Sequence, residues 1–75
     1  MKITGTSSYV EIETNGKVAK IKGELLANGF VAWMDTFEHW EPPFEKTIVT
    51  EEEKTSLIRD VEKENKNSTF KVFFE

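Results

Sequence analysis

Few residues in this chain are of the types that carry out acid–base or metal chemistry. His39 is the only histidine, and the chain contains no cysteine. A zinc site at His39 would need three carboxylates beside it, a ligand set that zinc seldom uses. The sequence also lacks the glycine-rich loops of nucleotide-binding proteins and the nucleophile turn of hydrolases. It therefore predicts no catalytic residue, no metal and no cofactor, and His39 is expected in a partly exposed turn.

Carboxylates are plentiful, with fourteen in the chain, but general acid–base catalysis requires a cleft that shifts their pKa values. A sheet with one helix, built from 75 residues, leaves little room for such a cleft. We therefore expect that the protein is not an enzyme. The alternative, an enzymatic or small-molecule-binding domain, requires a pocket near Trp33, Trp40 and His39.

Length and charge restrict the domain organisation and the classes of partner. The chain has room for one domain, residues 1–75, and no cysteine is available for a stabilising disulfide bond. Because no secretory signal and no long apolar stretch is present, we expect a cytoplasmic protein with no membrane partner. The net charge of −4 disfavours nucleic acid as a partner and is compatible with a basic protein. Modest acidity also simply keeps a small domain soluble.

Alternation of apolar and polar residues predicts a β-hairpin in the first third of the chain. Residues 9–13 alternate with period two, which is typical of a half-buried strand. Asn15-Gly16 favours a two-residue turn because both positions tolerate a positive φ, so residues 18–26 should return antiparallel. Apolar residues then face each other on the core side and opposite charges on the other side. The predicted pairs are Val10 with Ile21, Ile12 with Ala19, and Glu11 with Lys20.

A second Asn-Gly pair, Asn28-Gly29, predicts a turn into a third strand at residues 30–34. A two-residue turn at this point divides the apolar residues between the two faces of the sheet. The core face then carries Leu25, Ala32 and Met34, and the opposite face carries Tyr9, Leu26, Val31 and Trp33. Either a bulge near Gly23 changes this arrangement, or the second face is meant to be covered.

A capping box predicts the single helix. Thr50 can accept a hydrogen bond from the amide of Glu53 while the Glu53 side chain bonds back, and an acidic first turn suits the helix dipole. The helix should end near Asn65, and residues 69–75 have the aromatic and β-branched content of a final strand. The predicted fold is α+β, with an antiparallel sheet of about four strands in the order β-β-β-turn-α-β and one helix packed on one face.

Aromatic residues beside carboxylates are the candidate partner-binding positions, because rings provide contact area and charges attract the partner. Tyr9 and Trp33 share the face that lies away from the predicted core. If the register is shifted by one residue, Trp33 belongs to the core instead. Acidic helix residues complete the candidate surface, although such residues are also ordinary at a helix start. The predicted binding residues are Tyr9, Glu11, Glu24, Trp33, Glu52 and Asp60.

Four stretches of the chain carry a family resemblance. They are Ile3-Thr4-Gly5-Thr6-Ser7-Ser8-Tyr9, Gly23-Glu24-Leu25, Trp40-Glu41-Pro42-Pro43 and Ile48-Val49-Thr50-Glu51-Glu52-Glu53. In this order and spacing they resemble the immunity protein 74 family of bacterial polymorphic toxin systems. The likeness spans nearly the whole chain, and the Trp-Glu-Pro-Pro element is its most distinctive part.

The resemblance implies a small protein that is made beside a toxin domain, binds that domain in the producing cell and neutralises it by occlusion without catalytic residues. Residues 1–75 are then one immunity-protein-like domain. No toxin-contacting residue carries over from the family. We expect the motif Trp40, Glu41, Pro42 and Pro43 to be structural, with the tryptophan packed under the sheet and the prolines stiffening the approach to the helix.

Two further possibilities follow from the acidic charge and the exposed strands. If the toxin is a nuclease with a basic substrate groove, the acidic face of the protein would mimic phosphate and accelerate association. The alternative to a toxin binder is a small accessory or homodimeric binding domain of unknown ligand. Its contact would be the edge strand at residues 70–75 or an exposed third strand.

Overall fold

Five β-strands and one α-helix make up the computed structural model, which describes residues 1–75. The elements are β1 (Lys2–Gly5), β2 (Tyr9–Thr14), β3 (Lys17–Leu26), β4 (Gly29–Ala32), a short 3-10 turn (Met34–Thr36), α1 (Glu51–Asn65) and β5 (Lys71–Phe74). The strands form one sheet in sequence order. The first three neighbouring pairs are antiparallel, and β4 and β5 are parallel. The predicted α+β class is confirmed.

The sheet differs from the expected one at both ends. β1 is an additional strand that pattern analysis missed because only one of its residues, Ile3, is strongly apolar; it pairs with Ile12 of β2. β5 runs parallel to β4 because the chain passes through α1 between the two strands and returns in the same direction. The result is a mixed sheet of five strands where an antiparallel sheet of about four was expected.

The β2–β3 hairpin forms as predicted. Asn15 and Gly16 have φ values of 52° and 79°, the positive values that a type I′ turn requires. All three predicted pairs are confirmed by the register, namely Val10 with Ile21, Ile12 with Ala19, and Glu11 with Lys20. Turn chemistry and burial therefore specify the same register here.

The β3–β4 turn is displaced from its predicted position. Leu25 pairs with Phe30, so Ala27 and Asn28 form the loop and Gly29 is the first residue of β4. Gly29 is needed for close approach, because a Cβ atom there would lie 2.2 Å from the carbonyl oxygen of Lys71. The displacement from the expected register is two residues, and each side chain therefore keeps its predicted face.

Burial along these strands corrects one expected core residue. Ala32 is buried as predicted, and Met34 is half-buried against the core. Leu25 is 48% exposed, so its assignment to the core was wrong. It lies opposite Phe30 near the exposed end of β3.

β3 pairs with β2 up to Lys22 and with β4 from Gly23 onward. Both registers are continuous, so no bulge occurs at Gly23. A Cβ atom at Gly23 would lie 1.9 Å from the carbonyl oxygen of Val31. The first half of β3 contacts β2 and the segment that follows β4. In that segment Thr36 Oγ1 accepts from the Lys22 amide (3.1 Å), and the Glu41 amide donates to the Val18 carbonyl (2.9 Å).

The helix closes the core on one face of the sheet. Its capping box is present, with Thr50 Oγ1 accepting from the Glu53 amide (3.1 Å) and Glu53 Oε1 accepting from the Thr50 amide (3.1 Å). Leu57 and Val61 are its buried residues. The other core residues are Val10, Ile12, Ala19, Ile21, Phe30, Ala32, Phe37, Trp40, Val49 and Val72. We call the helix-covered face the inner face and the opposite one the outer face.

The Trp-Glu-Pro-Pro element lies where the connecting segment returns to the start of β3. Trp40 is 3% exposed and makes an edge-to-face contact with Phe37 at a ring-centroid distance of 5.1 Å. Pro42 and Pro43 are exposed and joined by a cis peptide bond. The tryptophan of the motif is thus a core residue, in the position expected for a structural role.

Candidate partner-binding surface

Four of the six predicted binding residues project from the outer face. In β2 and β3 they alternate with the buried residues of the inner face, since successive strand residues point to opposite sides. These four are Tyr9, Glu11, Glu24 and Trp33. Helix α1 does not reach this face, because its buried residues pack into the core on the other side of the sheet.

Tyr9 and Trp33 flank one lysine. Tyr9 pairs with Lys22, and the amide of Trp33 donates to the carbonyl of Lys22 at 2.8 Å. The ammonium of Lys20 lies 4.2 Å from the centre of the Tyr9 ring, within range of a cation–π interaction. Trp33 is 41% exposed, so the alternative register that would bury it is excluded.

An apolar patch continues from Trp33 across β3, β4 and β5. Val31 lies between Glu24 of β3 and Phe73 of β5. The Phe73 ring extends over the backbone of Gly29, since it passes 3.3 Å from the position of a Cβ atom there. Phe73 is 42% exposed although it lies in the middle of a paired strand. We define the apolar patch as Leu26, Val31, Trp33 and Phe73.

Phe73 was missed by sequence reasoning, which identified only Tyr9 and Trp33 as exposed aromatic residues. Its place on the outer face depends on the parallel pairing of β5 with β4, which is a contact across more than 40 residues of chain. The period-two alternation of Val72 and Phe73 was available as a signal. It separates the two side chains onto opposite faces but does not show which residues of other strands lie beside Phe73.

A groove runs between α1 and the free side of β5. It has a volume of about 470 Å³ and is lined by Ile58, Glu62, Asn65, Val72, Phe73 and Phe74. Phe73 belongs to both the groove and the apolar patch, so the two surfaces are continuous around the edge of the sheet. Most of the lining is apolar, with Glu62 the charged residue at its rim.

Side chains already bind the backbone of this edge at two positions, Val72 in β5 and Phe70 just before it. The Asn65 amide group donates to the Val72 carbonyl (2.8 Å) and accepts from the Val72 amide (3.0 Å), as a neighbouring strand would. Ser68 Oγ donates to the Phe70 carbonyl (2.8 Å) and accepts from the Phe70 amide (3.2 Å). Side chains from the end of α1 and the following turn therefore close part of the edge that another strand could otherwise extend.

Three carboxylates lie at the border of the apolar patch and the groove. Backbone hydrogen bonds from Glu75 to Ala32 and from Met34 to Glu75, both 2.9 Å, place Glu75 beside Trp33. The structure contains two ion pairs, Lys17–Glu53 and Lys54–Glu51, and neither involves this region. Two lysines lie near this region. Lys71 donates its ammonium hydrogens to the carbonyls of Asn65 and Ser68, and Lys22, between Tyr9 and Trp33, forms no ion pair. The rim carboxylates Glu24, Glu62 and Glu75 are thus without a cationic partner.

The remaining two predicted binding residues lie on the helix, away from the outer face. Glu52 is exposed in the first turn of α1. Asp60 is half-buried and lines a small cleft of about 100 Å³ beside Trp40 and Thr14. The aromatic and acidic residues that sequence reasoning combined into one surface are therefore on two different sides of the molecule.

The pocket expected of an enzymatic or small-molecule-binding domain does not form between Trp33, Trp40 and His39. Trp33 projects from the outer face, whereas Trp40 is buried in the core. His39 is exposed in the connecting segment, where its Nδ1 lies 3.3 Å from the Trp40 carbonyl oxygen. No group of three or more histidine, cysteine or acidic side chains converges anywhere in the chain.

Comparison with known proteins identifies a family. The model of the Immunity protein 74 family matches residues 2–75, which is essentially the whole chain. Neither a curated protein sequence nor a solved structure matches the chain. α1 is neither long enough nor apolar enough to cross a membrane.

Proposed function

The chain belongs to the Immunity protein 74 family, and from this premise we propose that it binds a cognate bacterial toxin domain and neutralises it by occlusion, without catalysis. The protein would act in the cytoplasm of the bacterial cell that makes the toxin. Occlusion requires only a stable scaffold that presents a shaped surface.

The outer face is the observation that supports this proposal most strongly. A five-stranded sheet in an 8.7 kDa protein buries its inner face under one helix and leaves the other face open. Half-exposed aromatic side chains, Tyr9 and Trp33, stand on that open face and contribute little to the core. Rings of this kind are enriched at protein interfaces because they provide a large contact area with few rotatable bonds.

Charge on the other side of the molecule has a different proposed role. Glu52 and Asp60 lie on α1, where they cannot contact a partner that sits on the outer face. A net charge of −4 can still attract a basic toxin, such as a nuclease with a basic substrate groove, over a distance of several ångströms.

Charge reversal tests the attraction. The double variant Glu52→Lys with Asp60→Lys should bind a basic toxin with a slower association rate and a weaker dependence of that rate on salt. Stopped-flow fluorescence at several salt concentrations measures both quantities. Association kinetics equal to those of the wild-type protein would rule out a steering role for these two residues.

Co-expression tests the function itself. The protein should be produced together with the product of the gene immediately upstream, which is expected to encode a secreted protein with a toxin domain at its C-terminus. Growth rescue and co-purification of the two proteins are the expected results. Failure of rescue and co-purification with every neighbouring gene product would contradict the proposal.

A homodimeric or accessory binding domain is the second candidate, because a second copy of the chain could cover the same apolar patch. The closed edge of β5 at Phe70 and Val72 disfavours one route to such a dimer, the pairing of edge strands. Sedimentation velocity at micromolar concentration distinguishes the candidates. A monomer supports the toxin binder, and a stable dimer supports the alternative.

A further inference from the structure

We infer that the toxin docks over strand β5, with Phe73 at the centre of the contact, and that the toxin presents an apolar side chain surrounded by lysine or arginine. This inference rests on the proposed function and names the surface and the partner chemistry. It moves the centre of the interface away from Tyr9 and the first hairpin. It also adds the groove beside α1 to the outer face.

The first argument is the exposure of apolar side chains on both sides of one edge strand. Phe73 points to the outer face, and Phe74, its neighbour in sequence, points to the groove beside Ile58. A partner that sits over β5 can therefore contact the apolar patch and the groove at the same time.

The second argument concerns the way in which the partner binds. An exposed edge strand usually recruits a partner by adding a strand through backbone hydrogen bonds. Asn65 and Ser68 already occupy the backbone groups of Val72 and Phe70. The contact over β5 is therefore made by side chains that pack on Phe73 and enter the groove, which explains why Phe73 remains exposed in the free protein.

The third argument is charge. The unpaired carboxylates Glu24, Glu62 and Glu75 lie around the patch and the groove, and Lys71 is held by backbone carbonyls. Lys22 lies on the β3 side of Trp33, away from β5. A complementary partner must carry positive charges around an apolar centre. A second copy of this chain in a two-fold arrangement would instead bring the same carboxylates towards each other, because a two-fold contact uses the same surface of both copies.

Two matched pairs of variants test this assignment with the co-purified toxin domain and isothermal titration calorimetry. Phe73→Ser is paired with Ile48→Ser, since Ile48 is 79% exposed in the connecting segment and lies outside the proposed contact. Phe73→Ser should raise Kd by about 30-fold or more, as expected for a central anchor. Ile48→Ser should leave Kd within about twofold, and Phe73→Leu should restore most of the affinity.

The charge pair compares two exposed glutamates with equal effects on net charge. Glu62→Lys changes the rim of the groove, whereas Glu45→Lys lies next to Phe44, near Lys17 and the start of α1. Both variants should slow association to a similar extent through the change in net charge. Glu62→Lys alone should raise the dissociation rate, by about tenfold or more, because it removes a local contact. This pair remains informative even if Phe73→Ser fails to fold.

The outcomes separate the inference from the function on which it rests. If the wild-type protein binds no neighbouring gene product, the proposed function fails, and the inference fails with it. If the wild-type protein binds the toxin and neither Phe73→Ser nor Glu62→Lys weakens the complex more than its control, the function stands and the docking surface is wrong. Weakening confined to Phe73→Ser and Glu62→Lys supports both.

Discussion

The two tryptophans lie in regions of opposite character. Trp40 is enclosed by the inner face and the helix and contacts Phe37, whereas Trp33 stands on the outer face beside Lys22 and Glu75. Both regions are rich in apolar side chains, but only the inner one is closed. The inner apolar residues are accounted for by folding. Folding does not bury the apolar residues of the outer face, and this difference is the physical basis for assigning the outer face to a partner.

Mutations can test this difference between the two faces, because inner and outer residues alternate along the same strands. A change on the inner face should lower the free energy of unfolding, with any effect on binding following from lost stability. A change on the outer face should lower affinity at nearly constant stability. The total free energy of unfolding of a chain of this size is roughly 4–11 kcal/mol, so the inner changes should be plainly measurable.

The largest effect is expected at Phe30, which is fully buried on the inner face. Phe30→Ala should lower the free energy of unfolding by about 3–5 kcal/mol, because it leaves a cavity in the core. The matched control is its neighbour on the outer face, Val31→Ala, with an expected loss below about 1 kcal/mol. Urea unfolding monitored by circular dichroism measures both, and similar losses would contradict the distinction between the faces.

The next largest effect is expected at Gly23, where β3 leaves no room for a side chain against Val31 of β4. Gly23→Ala should cost about 3 kcal/mol because the added methyl group would meet the Val31 carbonyl and the Phe30 ring. Gly5→Ala is the control, since a Cβ atom at Gly5 meets the Phe70 ring at 3.5 Å, an ordinary contact, and should change stability by less than about 1 kcal/mol. Thermal unfolding of the two variants checks the difference. Equal melting temperatures would show that the close approach is relaxed at little cost.

A smaller effect is expected at Asn65, which protects the edge of the sheet. Asn65→Ala should cost about 1–3 kcal/mol, because the Val72 amide and carbonyl lose their partners. The freed edge should also increase self-association in sedimentation velocity experiments. Asn67→Ala, an exposed asparagine two residues further on, should change neither property measurably. A monomeric Asn65→Ala variant of unchanged stability would contradict the role assigned to this side chain.

The β2–β3 hairpin and α1 could be predicted from sequence because their signals are local. Asn15-Gly16 sets the turn, the alternation of residues 9–13 agrees with it, and Thr50 with Glu53 marks the helix start. Each signal is confined to a few residues of chain. Local and tertiary preferences agree in these two elements, and the predicted registers and boundaries are confirmed.

The β3–β4 turn and the pairing of the final strand could not be predicted from local sequence signals. Asn28-Gly29 has the composition of a turn, but Gly29 is required inside β4 because the backbone of β5 approaches it. That requirement comes from a strand more than 40 residues away. Alternation places Phe73 on the face opposite Val72, but its position beside Val31 depends on the same long-range pairing, so the centre of the proposed interface was only partly visible in local sequence patterns.

The candidate site was predicted in part for a related reason. Period-two alternation was enough to put Tyr9, Glu11, Glu24 and Trp33 on one face, even though the β3–β4 register differs by two residues from the expected one. Alternation within strands says nothing about where a helix lies. Glu52 and Asp60 were therefore grouped with residues on the opposite side of the molecule.

Fluorine NMR of the protein labelled with 5-fluorotryptophan tests the central claim most directly, because Trp33 and Trp40 are its only tryptophans. A Trp33→Phe variant assigns the two resonances. Addition of the unlabelled toxin domain should shift or broaden the Trp33 resonance and leave the Trp40 resonance unchanged, since only Trp33 lies on the outer face. A saturated complex in which the Trp33 resonance does not move would contradict the assignment of the outer face to the toxin.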